Sequence, residues 1–302
     1  MNFFINQIDN TNGPTIFAKR LHDEFLSQGL NYDAGSKNRI SITTGEYKDN
    51  SLNILRLDNL YLDSGNTLGD SNLLNKPIFD CYKSFDHIVF QSEYSRNVYE
   101  SFTGVKKSNT VIYNGVPHHF FEQVEPIDKP EGFDKVVIAS SQWRRHKRIE
   151  ECIEAFKDKR LKDIALVILG GYNSIDLPNV FTLPMVNPES LPMFYQMADA
   201  MIHLCWLDCC PNSVVEALAS RLPVICSHNG GTHELVKGDG IVIQLEDDYK
   251  PGEMVDLYNP PEVCIDTIVS AVLKCLDIGD IGVREDLKIS NVADSYKDIF
   301  CS

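Results

Sequence analysis

Short apolar segments alternate with amphipathic helices twice along this chain, and this alternation limits it to a layered α/β architecture. In the first half, residues 2–8 form an apolar segment and a polar turn follows, after which Ile16, Leu21 and Phe25 share one face at helical spacing. Ser92 is placed to cap a second helix over 92–103. Further strands are predicted at 40–43, 53–57, 87–91 and 110–113. Such alternation predicts a parallel, doubly wound sheet.

A second series of the same kind follows residues 118–134, which are rich in Pro, Glu and Asp and are predicted to form a linker. Its strands are predicted at 135–140, 164–169, 180–183, 200–205 and 223–227, and its helices at 148–157, 190–197 and 213–220. A chain of 302 residues is long enough for two domains with separate cores. The predicted domains are residues 1–120 and 121–285, and the tail is predicted to be helical at 261–276 and 284–300.

The net charge of −15 disfavours partners that are themselves polyanions, such as duplex DNA or an anionic membrane. No apolar segment approaches the roughly 20 residues that span a bilayer, and no signal peptide is evident, so a cytoplasmic location is expected. The nine cysteines are expected to be reduced. Cys205, Cys209 and Cys210 form no CxxC pair, so they are interpreted as small apolar groups and not as zinc ligands.

The segment 204–225 concentrates the polar chemistry of the second half. A predicted strand ends before Asp208, and a helix begins at Asn212 or Ser213. This loop would therefore lie at the carboxyl edge of a parallel sheet, where α/β proteins bind ligands. The helix N-terminus there favours an anionic diphosphate. Glu216, in the predicted first turn, is either an N-terminal capping carboxylate or a ligand for ribose hydroxyls.

A basic run containing Arg144, Arg145 and Lys147 follows another predicted strand. Such a run is usually a solvated face, but its position at a strand end also suits a diphosphate. Positive charge there would stabilise a departing diphosphate, a task that a metal ion can perform elsewhere, usually through a DxD motif. The sequence contains no DxD motif, which favours a metal-free reaction.

Asp208 and Glu216, eight positions apart, resemble the E-x7-E motif of the GT-B family 4 glycosyltransferases, with Asp in place of the first Glu. The flanking segment 211–225 and the turn Gly230-Gly231-x-x-Glu234 are also similar to that family. The resemblance implies two Rossmann-like domains facing each other across a cleft that holds the donor. It also implies that the last helix, 284–302, packs back on the first domain.

The same resemblance implies roles for particular residues. Glu216 would bind the donor ribose and Asp208 would contact the transferred sugar. The diphosphate would be cradled by the backbone of the first helical residues and neutralised by basic side chains. The backbone that cradles the diphosphate would be that of Asn212, Ser213 and Val214. The basic side chains that neutralise it would be those of Arg144 and Lys147, with Arg145 in place of Arg144 if the register differs by one.

Other segments resemble the family more loosely. Met185 and Val186 resemble its base-binding turn, or else they are core residues. Gly13 resembles its glycine loop near the donor phosphates, or else it is a simple turn residue. Asp58, at a strand end, is the candidate polar group on the acceptor side. Asn114, in a segment that leads towards the hinge, is interpreted as a turn residue.

These observations predict a metal-independent hexosyl- or pentosyltransferase that uses a UDP-sugar or GDP-sugar donor and no other cofactor. The resemblance implies that the transfer is retaining. The acceptor would be a hydroxyl group of a saccharide, of a lipid-linked sugar or of a modified DNA base such as a hydroxymethylpyrimidine. Two alternatives stay open. The first is a catalytically inactive sugar-nucleotide-binding module, and the second is an epimerase or phosphorylase with the same fold. The sequence predicts neither the oligomeric state nor the identity of the sugar.

Overall fold

A computed structural model describes residues 1–8, 12–67, 69–246 and 249–302 of the protein. The chain folds into two compact units, each assembled from more than one stretch of sequence. Unit 1 comprises Met1–Pro117, Tyr249–Asp256 and Glu285–Ser302, and unit 2 comprises His118–Asp248 and Leu257–Arg284. The domain boundaries expected at residues 120 and 285 stay predictions, because compactness alone does not show which segments fold independently.

Unit 1 is built on a parallel sheet of six strands in the order β2-β1-β3-β4-β5-β6 within the described residues. The strands are β1 (Asn2–Ile5), β2 (Asn31–Tyr32), β3 (Asn38–Ile42), β4 (Leu52–Leu57), β5 (His87–Phe90) and β6 (Asn109–Val111). The helices between them are α1 (Gly13–Ser27), α2 (Ser71–Ser84) and α3 (Glu93–Thr103). The predicted strand over 2–8 ends earlier, at Ile5, and the polar turn at 9–11 lies outside the described residues.

Unit 2 repeats the plan with a second parallel sheet, ordered β12-β11-β10-β7-β8-β9. Its strands are β7 (Lys135–Ser140), β8 (Ile164–Leu169), β9 (Val180–Thr182), β10 (Ala200–His203), β11 (Val224–Ser227) and β12 (Gly240–Ile243). Its helices are α4 (Ile149–Ala155), α5 (Leu191–Met197), α6 (Asn212–Ala219), α7 (Thr232–Val236) and α8 (Ile265–Leu276). Starting from β9, this is the strand order of the dinucleotide-binding fold, which reverses between β7 and β10.

The core of unit 1 is completed by a helix far along the chain. Helix α9 (Ile289–Cys301) packs on α1, and its buried face joins the same apolar cluster as β1 and β3. The ring of Tyr296 lies 6.4 Å from that of Phe17, centroid to centroid. The first turn of α1 is fixed locally, because the Asn12 side chain accepts a hydrogen bond from the Thr15 N–H at 3.2 Å.

Within the described ranges, every helix is too short or too polar to cross a bilayer.

Candidate active site

Two loops of unit 2 meet where the strand order reverses. The first follows β7 and carries Arg144 to Lys147, and the second follows β10 and carries Asp208. Because β7 and β10 are neighbours and parallel, their carboxyl ends lie at the same edge of the sheet. This is the position at which open α/β sheets bind ligands.

Lys147 and Asp208 form a short ion pair across these two loops. The Nζ atom of Lys147 lies 2.6 Å from Oδ2 of Asp208, and the two side chains are only 16% and 21% exposed. Burial alone would raise the pKa of Asp208, but the Lys147 ammonium outweighs it and lowers that pKa to about 2. Burial alone would lower the pKa of Lys147, whereas the Asp208 carboxylate raises it above its usual value. Both groups are therefore charged near neutral pH.

A residue next to each partner of the ion pair has an unusual backbone conformation. Arg148, which follows Lys147, has φ +56°, and Leu207, which precedes Asp208, has φ +61°. Non-glycine residues seldom adopt such angles, and they often do so at functional sites. The buried Arg148 guanidinium donates hydrogen bonds to the carbonyl oxygens of Leu204 (3.3 Å) and Pro261 (2.8 Å), which anchors this turn.

A turn after β11 fixes the backbone of Asp208. Asp208 pairs with Gly230 in a parallel bridge, and the Gly231 N–H donates to the Asp208 carbonyl oxygen at 2.7 Å. A Cβ atom on Gly230 would lie 2.6 Å from that oxygen, and Gly230 has φ +95°. Only glycine satisfies both conditions. The Gly-Gly turn therefore supports Asp208, which is a contact that the sequence motif alone does not specify.

Histidine and cysteine side chains surround the ion pair. Burial, followed by repulsion from Lys147, lowers the pKa of His203 to about 3 and that of His146 to about 4. Burial raises the pKa of the Cys205 thiol to about 12. Ligand atoms of His203, Cys205 and Asp208 lie within 4.8 Å of one another, a spacing that could hold a metal ion. The Lys147 ammonium already contacts the Asp208 carboxylate of this group.

Helix α6 begins beside these loops and carries Glu216. It starts at Asn212, and Pro211 at its N-cap makes no side-chain capping hydrogen bond. The prediction that Glu216 lies in the first turn is wrong, since that turn holds no acidic residue. The capping interpretation is therefore excluded. Glu216 is instead 6% exposed and accepts a hydrogen bond from the Tyr195 hydroxyl at 3.2 Å. Tyr195, from α5, was not recognisable from the sequence because its contact with Glu216 is tertiary.

The other expected donor-side residues lie nearer the surface. Arg144 is exposed, whereas Nη1 of Arg145 lies 2.6 Å from Oε1 of Glu151. Met185 is 65% exposed, so its interpretation as a core residue is wrong, and Val186 is half-buried. Along α6, Ser213 is half-buried next to the helix start, and Val214 is fully buried.

In unit 1, Gly13 is the exposed first residue of α1 and does not adopt a left-handed conformation. The expectation that it contacts the donor phosphates is not tested by this geometry.

Asp58 belongs to a polar network at the carboxyl edge of the unit 1 sheet. Its Oδ1 accepts from the buried Arg56 guanidinium at 2.8 Å and from the Gln91 amide, and its Oδ2 accepts from the Thr43 hydroxyl at 2.7 Å. Arg56 also donates to Oδ1 of Asn114 at 2.6 Å, so Asn114 is part of this network, and residues 112–115 form no turn. These residues come from the ends of β3, β4, β5 and β6.

Thr43 adds backbone strain to the same place, because it has φ +62°. This conformation is rare for a β-branched residue and indicates a local constraint. Among the members of the network, Asp58 alone was expected from the sequence.

Residues 121–249 match the family model described as glycosyl transferases group 1. Over this segment the chain is similar to the group 1 glycosyltransferases. Among curated protein sequences, none matches the chain significantly. The predicted fold class, two Rossmann-like domains of the GT-B type, is confirmed, and the family match supports the predicted glycosyltransferase class. The narrower assignment to family 4 stays a prediction.

Solved structures of low sequence identity share the fold of this chain over nearly its whole length. Sucrose-phosphate synthase from Thermosynechococcus elongatus has a TM-score of 0.71 and 11% identity, covering 99% of this chain and 98% of that one. HepE from Anabaena, in complex with UDP-glucose, has a TM-score of 0.66 and 12% identity, covering 99% of each chain. The pneumococcal O-GlcNAc transferase GtfA, in complex with UDP and GlcNAc, has a TM-score of 0.56 and 14% identity, covering 93% of this chain and 59% of that one.

Proposed function

We propose that this glycosyltransferase transfers a sugar from a UDP-sugar to a hydroxyl group of an acceptor, with retention of anomeric configuration and without a metal ion. The observation that carries the proposal is the meeting of Lys147 and Asp208 where the strand order of unit 2 reverses. The Lys147 ammonium, which would bind the diphosphate, lies there beside the Asp208 carboxylate, which would accept hydrogen bonds from sugar hydroxyls. UDP is favoured over GDP because HepE and GtfA were both solved with UDP.

The donor would be bound by four kinds of group. The N-terminus of α6, with Asn212, Ser213 and Val214, would lie against the diphosphate, although the Val214 N–H also donates to the Pro211 carbonyl oxygen at 3.0 Å. Arg144 and Lys147 would neutralise its charge, with Arg145 less suited because Glu151 already engages it. Glu216, held by Tyr195, would accept hydrogen bonds from the ribose. The exposed Met185 and the adjacent Val186 would contact the base.

The transfer itself would proceed on one face of the sugar. The bond between C1 and the diphosphate oxygen breaks, a bond from the acceptor oxygen to C1 forms on the same face, and the acceptor proton passes to the departing phosphate. No enzyme nucleophile is required. Negative charge grows on the diphosphate as the bond breaks, so a fixed Lys147 ammonium stabilises the transition state more than the ground state.

On the acceptor side, Asp58 would accept a hydrogen bond from an acceptor hydroxyl. Two donors already occupy its Oδ1, whereas Oδ2 accepts from the Thr43 hydroxyl. Each carboxylate oxygen has about two lone-pair sites, so Oδ2 is the better candidate for the acceptor. Arg56 holds the carboxylate in place, which makes it a positioning residue.

The proposal is tested by UDP binding and by turnover of UDP-glucose, UDP-galactose and UDP-GlcNAc in the presence of excess EDTA. Glu216→Ala removes charged hydrogen bonds, and we expect UDP affinity to fall by about tenfold or more. Glu154→Ala, an exposed glutamate on α4, is the matched control and should leave UDP affinity unchanged. Wild-type affinity in Glu216→Ala would remove Glu216 from the donor site. Loss of turnover in EDTA would exclude the metal-free reaction.

A further inference from the structure

The carboxylate of Asp208 is fixed next to the cation that would bind the diphosphate. The Lys147 ammonium lies 2.6 Å from it, and the Gly230 bridge holds the Asp208 backbone. An ammonium has three N–H donors, so Lys147 can contact Asp208 and a phosphate oxygen together. Any phosphate bound to Lys147 therefore stands close to a carboxylate that cannot easily withdraw.

Two neighbouring histidines add no positive charge to that of Lys147 beside this carboxylate. His146 and His203 are neutral near neutral pH, because burial and the Lys147 charge lower both of their pKa values. The Arg148 guanidinium is directed at the carbonyl oxygens of Leu204 and Pro261.

The nucleotide-sugar substrate and the nucleoside diphosphate product would interact differently with this carboxylate. The diphosphate of a nucleotide-sugar carries about two negative charges, whereas the free nucleoside diphosphate approaches about three, because its terminal phosphate has a second pKa near 6. Repulsion by a fixed carboxylate is therefore stronger for the product. In addition, only the nucleotide-sugar carries the sugar that is transferred, whose hydroxyls can donate hydrogen bonds to the carboxylate.

We propose that Asp208 discriminates between the nucleotide-sugar and the free nucleoside diphosphate, by weakening binding of the product relative to the substrate. This inference rests on the proposed function, since it takes Lys147 as the residue that binds the diphosphate. The expected consequence of this discrimination is faster release of the nucleoside diphosphate after transfer, because the carboxylate repels this product more strongly than it repels the nucleotide-sugar. Asp208 is thus a specificity-determining residue for the charge state of the ligand.

The test is calorimetric titration of UDP and of UDP-glucose into the unaltered chain, Asp208→Asn and Asp208→Glu, with EDTA present so that no divalent cation screens the phosphates. For Asp208→Asn we expect UDP to bind about tenfold more tightly, which is the effect of removing roughly one close charge repulsion. The ratio of the UDP-glucose Kd to the UDP Kd should rise at least as much. Asp208→Glu keeps the charge and should retain weak UDP binding.

Asp239→Asn is the matched control. Asp239 also lies in a short ion pair, 2.7 Å from the Arg284 guanidinium, but it precedes β12 and so lies at the opposite edge of the same sheet. Its substitution should leave the ratio of the two Kd values unchanged. If Asp208→Asn does not fold, Asp208→Ser provides the uncharged variant.

Two outcomes overturn the inference in different ways. A Kd ratio that is unchanged in Asp208→Asn, or a loss of UDP affinity in that variant, overturns the discrimination by Asp208 while leaving the proposed function intact. Failure of the unaltered chain to bind either UDP or UDP-glucose overturns the proposed UDP donor and the inference with it.

Discussion

Gly230 supports the Asp208 carboxylate from outside the sequence motif that contains Asp208. It comes from the turn after β11, yet its backbone lies against the backbone of Asp208 in the loop after β10. The close approach leaves no room for a side chain, and the positive φ independently favours glycine. The close approach is imposed by the position of Asp208, so a change at Gly230 should alter the proposed donor site.

We expect Gly230→Ala to destabilise unit 2 by about 2 kcal/mol or more and to weaken UDP binding, because the new Cβ would displace the Asp208 backbone. Gly171→Ala is the control, since Gly171 has φ +75° but a Cβ there meets no atom within 4 Å. That variant should lose only the roughly 1–2 kcal/mol of stability that a left-handed alanine costs, and it should keep its UDP affinity. Urea unfolding and UDP titration measure the two effects, and equal UDP affinity in both variants would contradict the proposed support.

At the residue scale, candidate site residues were predictable from the sequence where they belong to a motif. Residues that contact the site only through the tertiary fold were not predictable. Lys147 and Asp208 were both expected at the donor site, and the structure brings them together. Tyr195 and Thr43 were not expected, because neither the hydrogen bond of Tyr195 nor the φ angle of Thr43 leaves a local signal in the sequence. The functional roles of all these residues stay proposals.

At the scale of elements, α9 provides a buried face to a core built from residues much earlier in the chain. Tyr296 is fully buried, and Phe300 lies 5.9 Å from Phe25, centroid to centroid. A helix of this kind contributes mainly through apolar burial, so its removal should open the cluster that β1 and α1 share.

We expect Tyr296→Ala to cost about 3–5 kcal/mol, the range for truncating a large buried side chain. Asp298→Ala, on the exposed face of the same helix, should change stability by less than about 0.5 kcal/mol. Amide hydrogen exchange distinguishes the units: exchange should accelerate in α1 and β1 of Tyr296→Ala while the strands β7 and β8 stay protected. Uniform acceleration in both units would argue against a local role for α9.

Elements were predictable where their periodicity was long and uninterrupted, as in α1 and β8. Helix α2 escaped prediction because Pro77 stands inside it and interrupts the helical signal. Helix α7 and strand β2 are too short, at five and two residues, to show any periodicity. The alternation of the longer elements was nevertheless sufficient to predict two parallel sheets.

At the scale of the whole molecule, stability should depend on pH through buried histidine. His203 is 6% exposed, and its pKa is lowered from 6.5 to about 3, first by burial and then by Lys147. A lowered histidine pKa means that the unfolded chain binds a proton which the folded chain does not. The stability associated with this group is therefore complete above pH 6.5 and is lost as the pH falls.

We expect His203→Asn to flatten the loss of stability between pH 6.5 and 5, because one titrating group contributes up to about 1.4 kcal/mol per pH unit. The variant is compared with the unaltered chain by thermal unfolding at each pH. His118→Asn, which changes an exposed histidine, should reproduce the slope of the unaltered chain. A parallel slope in His203→Asn would show that His203 is protonated in the folded state.

The discontinuity of unit 1 has a consequence for synthesis on the ribosome. Residues 1–117 emerge first, but the α9 residues that cover their apolar cluster are made only after all of unit 2. At roughly 5–20 residues per second, this delay is on the order of 10–30 s. During that time unit 2 can fold completely, while the surface of α1 that will receive Tyr296 is still uncovered. Nascent chains should therefore complete unit 2 before unit 1, so unit 1 is exposed to chaperones and proteases for longer.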